Sequence, residues 1–173
     1  KLIIKEYPTK SASTKTLASH LERLRQRGIN VDLVIVDYAD LLKPTPTGFK
    51  SQELRHSLGN TYEELRAIAQ VWDIPVWTAS QTNRSGLNAE VITMEAISEA
   101  FSKCFVADFI ISLSRTIKDK NCNIGRLFIA KNRNGPDAII YSVFMDPATV
   151  TIKVLEEEDV QEVQYNEKRE KEK

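Results

Sequence analysis

Only two of the 173 residues are cysteine, Cys104 and Cys122, and they form no CxxC pair. A chain of this length can hold a core without disulfides, so the sparse thiols point to a reducing, cytosolic compartment. The two histidines, His20 and His56, have no partner at metal-ligand spacing, which predicts no zinc site. No Ser-His-Asp or Cys-His grouping offers nucleophilic catalysis. No apolar run approaches the length of a membrane span, and the first residues do not read as a signal peptide. None of the six glycines, at positions 28, 48, 59, 86, 125 and 135, is followed by Lys-Ser or Lys-Thr. The phosphate-cradling loop GxxxxGK followed by Ser or Thr is therefore absent. The sequence has no internal repeat.

What is present is ordinary for a soluble domain: 42% hydrophobic and 28% charged residues. The net charge is zero but unevenly spread. Glu156 to Lys173 holds eight acids and four bases, leaving 20 bases against 16 acids in the body. A mildly basic body permits a nucleic-acid partner without requiring one. We expect one domain over residues 1–155 and a charged tail over 156–173, too poor in apolar residues to pack. The chain begins at Lys1 without a methionine and opens directly on a strand-like run, which reads as a fragment.

The most informative stretch is Val31-Asp32-Leu33-Val34-Ile35-Val36-Asp37-Tyr38. Its aliphatic run does not alternate, which predicts a strand buried on both faces at the centre of a parallel sheet. Ligands in open α/β sheets sit beyond the carboxyl ends of the strands, where Asp37 falls. Taken alone, Asp37 reads either as a site residue or as a cap on the next turn.

Around it, residues 1–5 predict a first strand, and Thr14 a helix cap for the apolar series Leu17, Ala18, Leu21 and Leu24, stopped by Gly28. Lys43 to Lys50 holds two prolines and a glycine and predicts a loop carrying two lysines and Phe49. Asn60 and Glu63 have capping-box spacing ahead of the helix series Tyr62, Leu65, Ile68, Ala69 and Trp72. The strand Val76 to Ser80 completes a βαβ unit with the Asp37 strand, which predicts parallel pairing. The polar cluster Gln81 to Gly86 follows at the same sheet edge, then a long loop to Glu95 and a short helix over Ala96 to Phe101. Asp108 to Leu113 predicts another buried strand, Asp119 to Asn123 a polar turn and Gly125 to Lys131 a strand. Arg133 to Pro136 is a turn. Ile139 to Met145 and Val150 to Val154, joined at Asp146-Pro147, predict antiparallel closing strands.

Three of these strand ends carry a recognisable set. Val34-Ile35-Val36-Asp37-Tyr38 resembles the Walker B segment of RecA-like ATPases. Ser80-Gln81-Thr82-Asn83-Arg84-Ser85 resembles the next motif of the DnaB-like hexameric replicative helicases, phage-type members above all. Ala130-Lys131-Asn132-Arg133-Asn134-Gly135-Pro136 resembles their late motif with its basic finger, and Ala107-Asp108 with Arg115 sits where they have a similar element. The match runs in order over most of residues 1–154.

The resemblance implies a partial RecA-like three-layer α/β fold, with a mostly parallel central sheet and antiparallel strands at the C-terminal edge. It implies a motor that couples ATP hydrolysis to movement on single-stranded DNA and to duplex unwinding, in a bacterial or phage-infected cell. Asp37 would hold a magnesium-bound water beside the phosphates, and Gln81 would sense the γ-phosphate. Lys131 and Arg133, two apart on one strand and so on one face, would act on the nucleotide of a neighbouring subunit in a hexameric ring. Lys43, Lys50 and Arg84 would contact DNA phosphates, and a primase is a possible further partner. In that family the P-loop and the catalytic glutamate precede the matched region, so this chain reads as the C-terminal part of the ATPase domain, inactive alone. Two other readings stand beside it: a non-catalytic RecA-like interaction module, or a RecA-like recombinase or clock-type ATPase.

Overall fold

The computed structural model describes residues 1–44, 54–82, 89–94 and 102–156, without the side chains of 54–58 and 102. The expected loop around Phe49, the sites Lys50 and Arg84, the helix over 96–101 and the tail beyond 156 lie outside these residues. The chain forms two compact units: Lys1–Gln81 with Glu99–Ala107, and Thr82–Ser98 with Asp108–Lys173.

The first unit begins without its expected strand. Residues 1–5 pair with no strand among the described residues, and Leu2 and Ile4 are 83% and 82% exposed. An extended segment becomes a strand only where a neighbour accepts its hydrogen bonds, and the apolar pattern did not report on the neighbour. Helix α1 spans Thr14–Gln26, and its cap is Ser13, one residue before the expected Thr14. The Ser13 hydroxyl accepts from the Thr16 N–H (3.4 Å) and the Thr16 hydroxyl accepts from the Ser13 N–H (3.1 Å). Thr14 is instead buried and donates to Glu64. Gly28 ends the helix as expected, in the left-handed region at φ 72°, with its N–H donating to the Arg25 carbonyl.

Strand β1 is shorter than the apolar run suggests, Val34–Val36, and pairs in parallel with β2, Val76–Thr78. Helix α2 connects them and spans Leu54–Trp72. Asn60 and Glu63 therefore lie inside the helix and do not cap it; the helix runs on upstream to Leu54, across Ser57 and Gly59, whose low propensity favours a boundary there. Burial on both strand faces is also corrected. Val36 is packed with Leu21, Leu42, Tyr62, Leu65 and Ile68 in the core, whereas Ile35 is 71% and Trp77 53% exposed. Helices α1 and α2 supply the apolar side chains for one face only among the described residues. Helix α3, Ser102–Val106, completes this unit.

The second unit is an antiparallel sheet in the order β3-β4-β5-β6, with β3 Phe109–Ser114, β4 Ile124–Asn132, β5 Ile139–Asp146 and β6 Thr151–Val154. The closing strands pair as the short turns required. Strand β3 is half exposed along one side at Phe109, Ile111 and Leu113, so a second expectation of two-faced burial is corrected for the same reason. The expected polar turn near residue 119 is a short helix, α4, Ile117–Asn121. Thr116 caps it, with Asp119 returning a bond to the Thr116 N–H (2.7 Å), and polar composition alone does not separate such a capped helical turn from an open one. The sole parallel pairing among the described residues is β1 with β2, so the antiparallel part of this α/β fold is the larger.

Candidate functional site

The end of β1 is shaped by a threonine from its neighbour. The Thr78 hydroxyl donates to the Val36 carbonyl and accepts from the Ala39 N–H, both at 2.9 Å. Those two bonds turn the chain immediately beyond Val36, and Asp37 is left exposed at the turn. A single exposed carboxylate at a strand end suits a hard cation that keeps most of its own waters. A shallow cavity of about 380 Å³, lined by Leu33, Ile35, Asp37, Trp77 and Thr78 among others, opens beside it.

Gln81 reaches the same edge from β2. Its side-chain amide donates to the Tyr38 hydroxyl at 2.9 Å, so the residue after Asp37 and the residue expected to sense phosphate are in direct contact. The structure thus brings Asp37 and Gln81 to one edge of one sheet. Lys43 lies further along the same connection, exposed, with its backbone N–H donating to the Ala12 carbonyl.

Lys131 and Arg133 belong to the second unit. Lys131 is the penultimate residue of β4, opposite Ile110, but Arg133 is one residue past the strand. The expectation that both leave one strand face is therefore corrected: the ladder stops at Asn132, where the turn to β5 begins, and strand alternation no longer sets the direction of Arg133. Arg133 is oriented by Asp108 instead. Its Nη1 lies 2.7 Å from Asp108 Oδ1, and its N–H donates to the Asp108 carbonyl at 2.9 Å. Both side chains of this ion pair are about half exposed, 47% and 53%.

A polar cluster that sequence reasoning missed lies just beyond Asp37. Asp40 Oδ1 accepts from the Tyr62 hydroxyl (3.0 Å) and from Lys103 Nζ (2.8 Å), while Oδ2 accepts from the Ser80 hydroxyl (3.2 Å). The Lys103 ammonium also donates to Ser80 Oγ (3.3 Å) and lies 5.2 Å from the centre of the Tyr62 ring. The Lys103 side chain is only 4% exposed. Burial, with the Asp40 charge behind it, drives the Tyr62 phenol well above the ordinary tyrosine range, so it stays a hydrogen-bond donor at all working pH. One signal was available in the sequence. Lys103 is the lone cation in a run that otherwise reads Ala100-Phe101-Ser102-Lys103-Cys104-Phe105-Val106, and lysine is rarely buried unless it is paired.

The fold gives the class first: its solved neighbours have the RecA-like fold. A solved ATPase domain superposes with a TM-score of 0.71 at 22% identity, covering 84% of this chain and 52% of that one. A DnaB-like replicative helicase, solved in a study of its interactions with primase, gives 0.70 at 22% identity, over 84% of this chain and 35% of that one. The family model for the DnaB-like helicase C-terminal domain matches residues 1–151, and the chain belongs to that family. Among curated relatives, a DnaB-like replicative helicase of Enterobacteria phage T4 is 29% identical over 117 residues, 67% of this chain and 25% of that protein. A probable replicative DNA helicase of Trieres chinensis is 26% identical over 146 residues, 79% of this chain and 31% of that protein. The chain thus spans about a quarter to a third of the length of the curated relatives it matches.

Proposed function

We propose that this chain is the C-terminal part of the motor of an ATP-dependent replicative DNA helicase. It works in the cytoplasm of a bacterial or phage-infected cell, as part of a hexameric ring on single-stranded DNA. The observation that carries the reading is the sheet edge where Asp37 stands exposed beyond β1 while Gln81, from β2, holds the adjacent Tyr38. Asp37 fits the role of holding the water shell of a magnesium ion, which when bound with ATP neutralises the phosphate oxygens. Gln81, uncharged and able both to donate and to accept, reads the terminal phosphate. Arg133 and Lys131 serve the nucleotide of the adjoining subunit, and Lys43, Lys50 and Arg84 contact DNA phosphates. A primase is a further partner, in keeping with the helicase neighbour studied with one.

The sequence contains no GxxxxGK loop, so this part cradles no phosphate by itself. That absence favours a second reading, a RecA-like interaction module without chemistry. Phosphate release separates the two. The isolated chain should show no DNA-stimulated ATP hydrolysis. In the complete helicase carrying this sequence, Asp37→Asn should lower turnover by at least about 10²–10³-fold, the scale of removing a single preorganised hydrogen-bond donor from a transition state. Near-normal turnover in that variant would return Asp37 to a turn cap and favour the module.

A further inference from the structure

The turn that carries Asp37 is closed by one side chain of the next strand. Thr78 stands opposite Val36 in the parallel ladder, so its side chain leaves β2 on the face that Val36 buries in the core. The other residues of β1 and β2 on that face are Val34 and Val76, both packed against the core. A valine at 78 would match the shape and the neighbours, so the hydroxyl has to be explained by what it bonds to.

It bonds to the two ends of the Asp37 turn. The hydroxyl donates to the Val36 carbonyl and accepts from the Ala39 N–H, each at 2.9 Å. Its contact with the Ala79 carbonyl is longer, 3.4 Å, so its single proton is better placed on Val36. Ala39 is fully buried, and a buried N–H has to find its partner within the protein. Between the Val36 carbonyl and the Ala39 N–H lie only Asp37 and Tyr38. Tyr38 is held in turn by the Gln81 amide, and Asp40 by the Ser80 hydroxyl. Thr78 is thus the side chain of β2 that fixes the backbone on both sides of the exposed Asp37.

We propose that Thr78 is a positioning residue, which aims the Asp37 carboxylate at the magnesium–nucleotide complex by fixing the turn on which it stands. This rests on the helicase reading above. A carboxylate that works through a metal-bound water is only as well placed as its backbone, and misplacing a working group by about 1 Å can cost about 10²-fold in rate.

The test uses the complete helicase with Thr78→Val, Thr78→Ser, Asp37→Asn and the double variant of Thr78→Val with Asp37→Asn. One readout is kcat for ATP. The other involves no turnover: the gain in equilibrium ADP affinity on going from excess chelator to Mg2+. Thr78→Val should lower kcat by about tenfold or more and cut the Mg2+ gain by about fivefold or more, the scale of losing a residue that orients a metal-site group. Thr78→Ser keeps the hydroxyl and should hold both within about twofold. In the Asp37→Asn background, Thr78→Val should cost less than about threefold more, because the group it acts through is already gone. Should Thr78→Val not fold, Thr78→Cys takes its place with the same expectations, its thiol being a weak donor and a weak acceptor.

A Thr78→Val loss that adds in full to that of Asp37→Asn would overturn the proposal. So would Thr78→Ser as damaged as Thr78→Val. A lowered thermal midpoint with kcat and the Mg2+ gain unchanged would overturn it too, leaving Thr78 as no more than the partner of a buried amide. Wild-type helicase without ATP hydrolysis, or Asp37→Asn with near-normal turnover, would fail the helicase reading and this inference with it. A damaged Asp37→Asn beside an unaffected Thr78→Val would fail this inference alone.

Discussion

Arg133 offers the sharpest test of the role proposed for it, because the structure shows it already paired within its own unit. Its guanidinium is paired with Asp108 of its own chain at 2.7 Å, with both side chains about half in water. An ion pair that exposed is worth about 0–1 kcal/mol, so Asp108 withholds the guanidinium from another partner by roughly fivefold at most. An arginine placed on a phosphoryl group in its transition state is worth about 10³–10⁵ in rate. The second quantity exceeds the first by at least two orders of magnitude, so the pair with Asp108 would not prevent the proposed role. Asp108→Asn should therefore change turnover of the complete helicase by less than about fivefold. The backbone bond from the Arg133 N–H to the Asp108 carbonyl survives that substitution and keeps the turn in place. Arg133→Ala should lower turnover by about 10³–10⁵-fold and leave nucleotide affinity largely intact. Single-turnover phosphate release and equilibrium nucleotide binding, measured on the same preparations, separate the two effects. Mixed rings of Arg133→Ala and Asp37→Asn subunits should regain hydrolysis at sites built from one good residue of each. An Asp108→Asn variant as damaged as Arg133→Ala would refute the reasoning, since the ion pair itself would then be the working element. Hydrolysis that depends on Arg133 only within its own subunit would end the finger hypothesis.

Two further expectations concern the second unit and are read by chemical unfolding of the chain itself. Burial alone would raise the Asp119 pKa, but the Thr116 hydroxyl and N–H and the Arg126 guanidinium outweigh it and hold the carboxyl below its ordinary 3.8. A depressed acid stabilises the fold fully above its unfolded pKa and loses that contribution as pH falls through the lower folded value. Asp119→Asn should thus cost about 1–2 kcal/mol at neutral pH, and the gap from wild type should close below about pH 4; a gap independent of pH would refute the charge argument. Gly125→Ala should cost about 1–3 kcal/mol, because the new methyl would lie 2.5 Å from Met145 Sδ and 3.2 Å from the Ser114 carbonyl oxygen; unchanged stability would mean the sheet yields there.

The sequence by itself determined the local elements and their order. Helix α1 was legible because Leu17, Leu21 and Leu24 repeat at helical spacing and Gly28 supplies the left-handed stop. The parallel β1–α2–β2 unit was legible because a helix between two apolar runs allows little else. The antiparallel closing strands followed from their short turns, and the placement of Asp37 and Gln81 at one sheet edge followed from their positions after the two parallel strands. Each of these signals lies within a few residues of the feature it specifies. Only the tertiary structure decided which strand faces are covered, and it left Ile35 and Trp77 exposed where an unbroken apolar run had implied burial. It also decided that residues 1–5 are not a strand, since a strand is a property of a pair. It turned Arg133 off the strand and onto Asp108, 25 residues away in sequence but adjacent across the β3–β4 ladder. The Asp40–Lys103 pair was least legible of all, its members standing 63 positions apart in sequence. Apolar periodicity reports how a segment faces a core, whereas a charge meets its partner only after the chain has folded back, and no local pattern carries that distance.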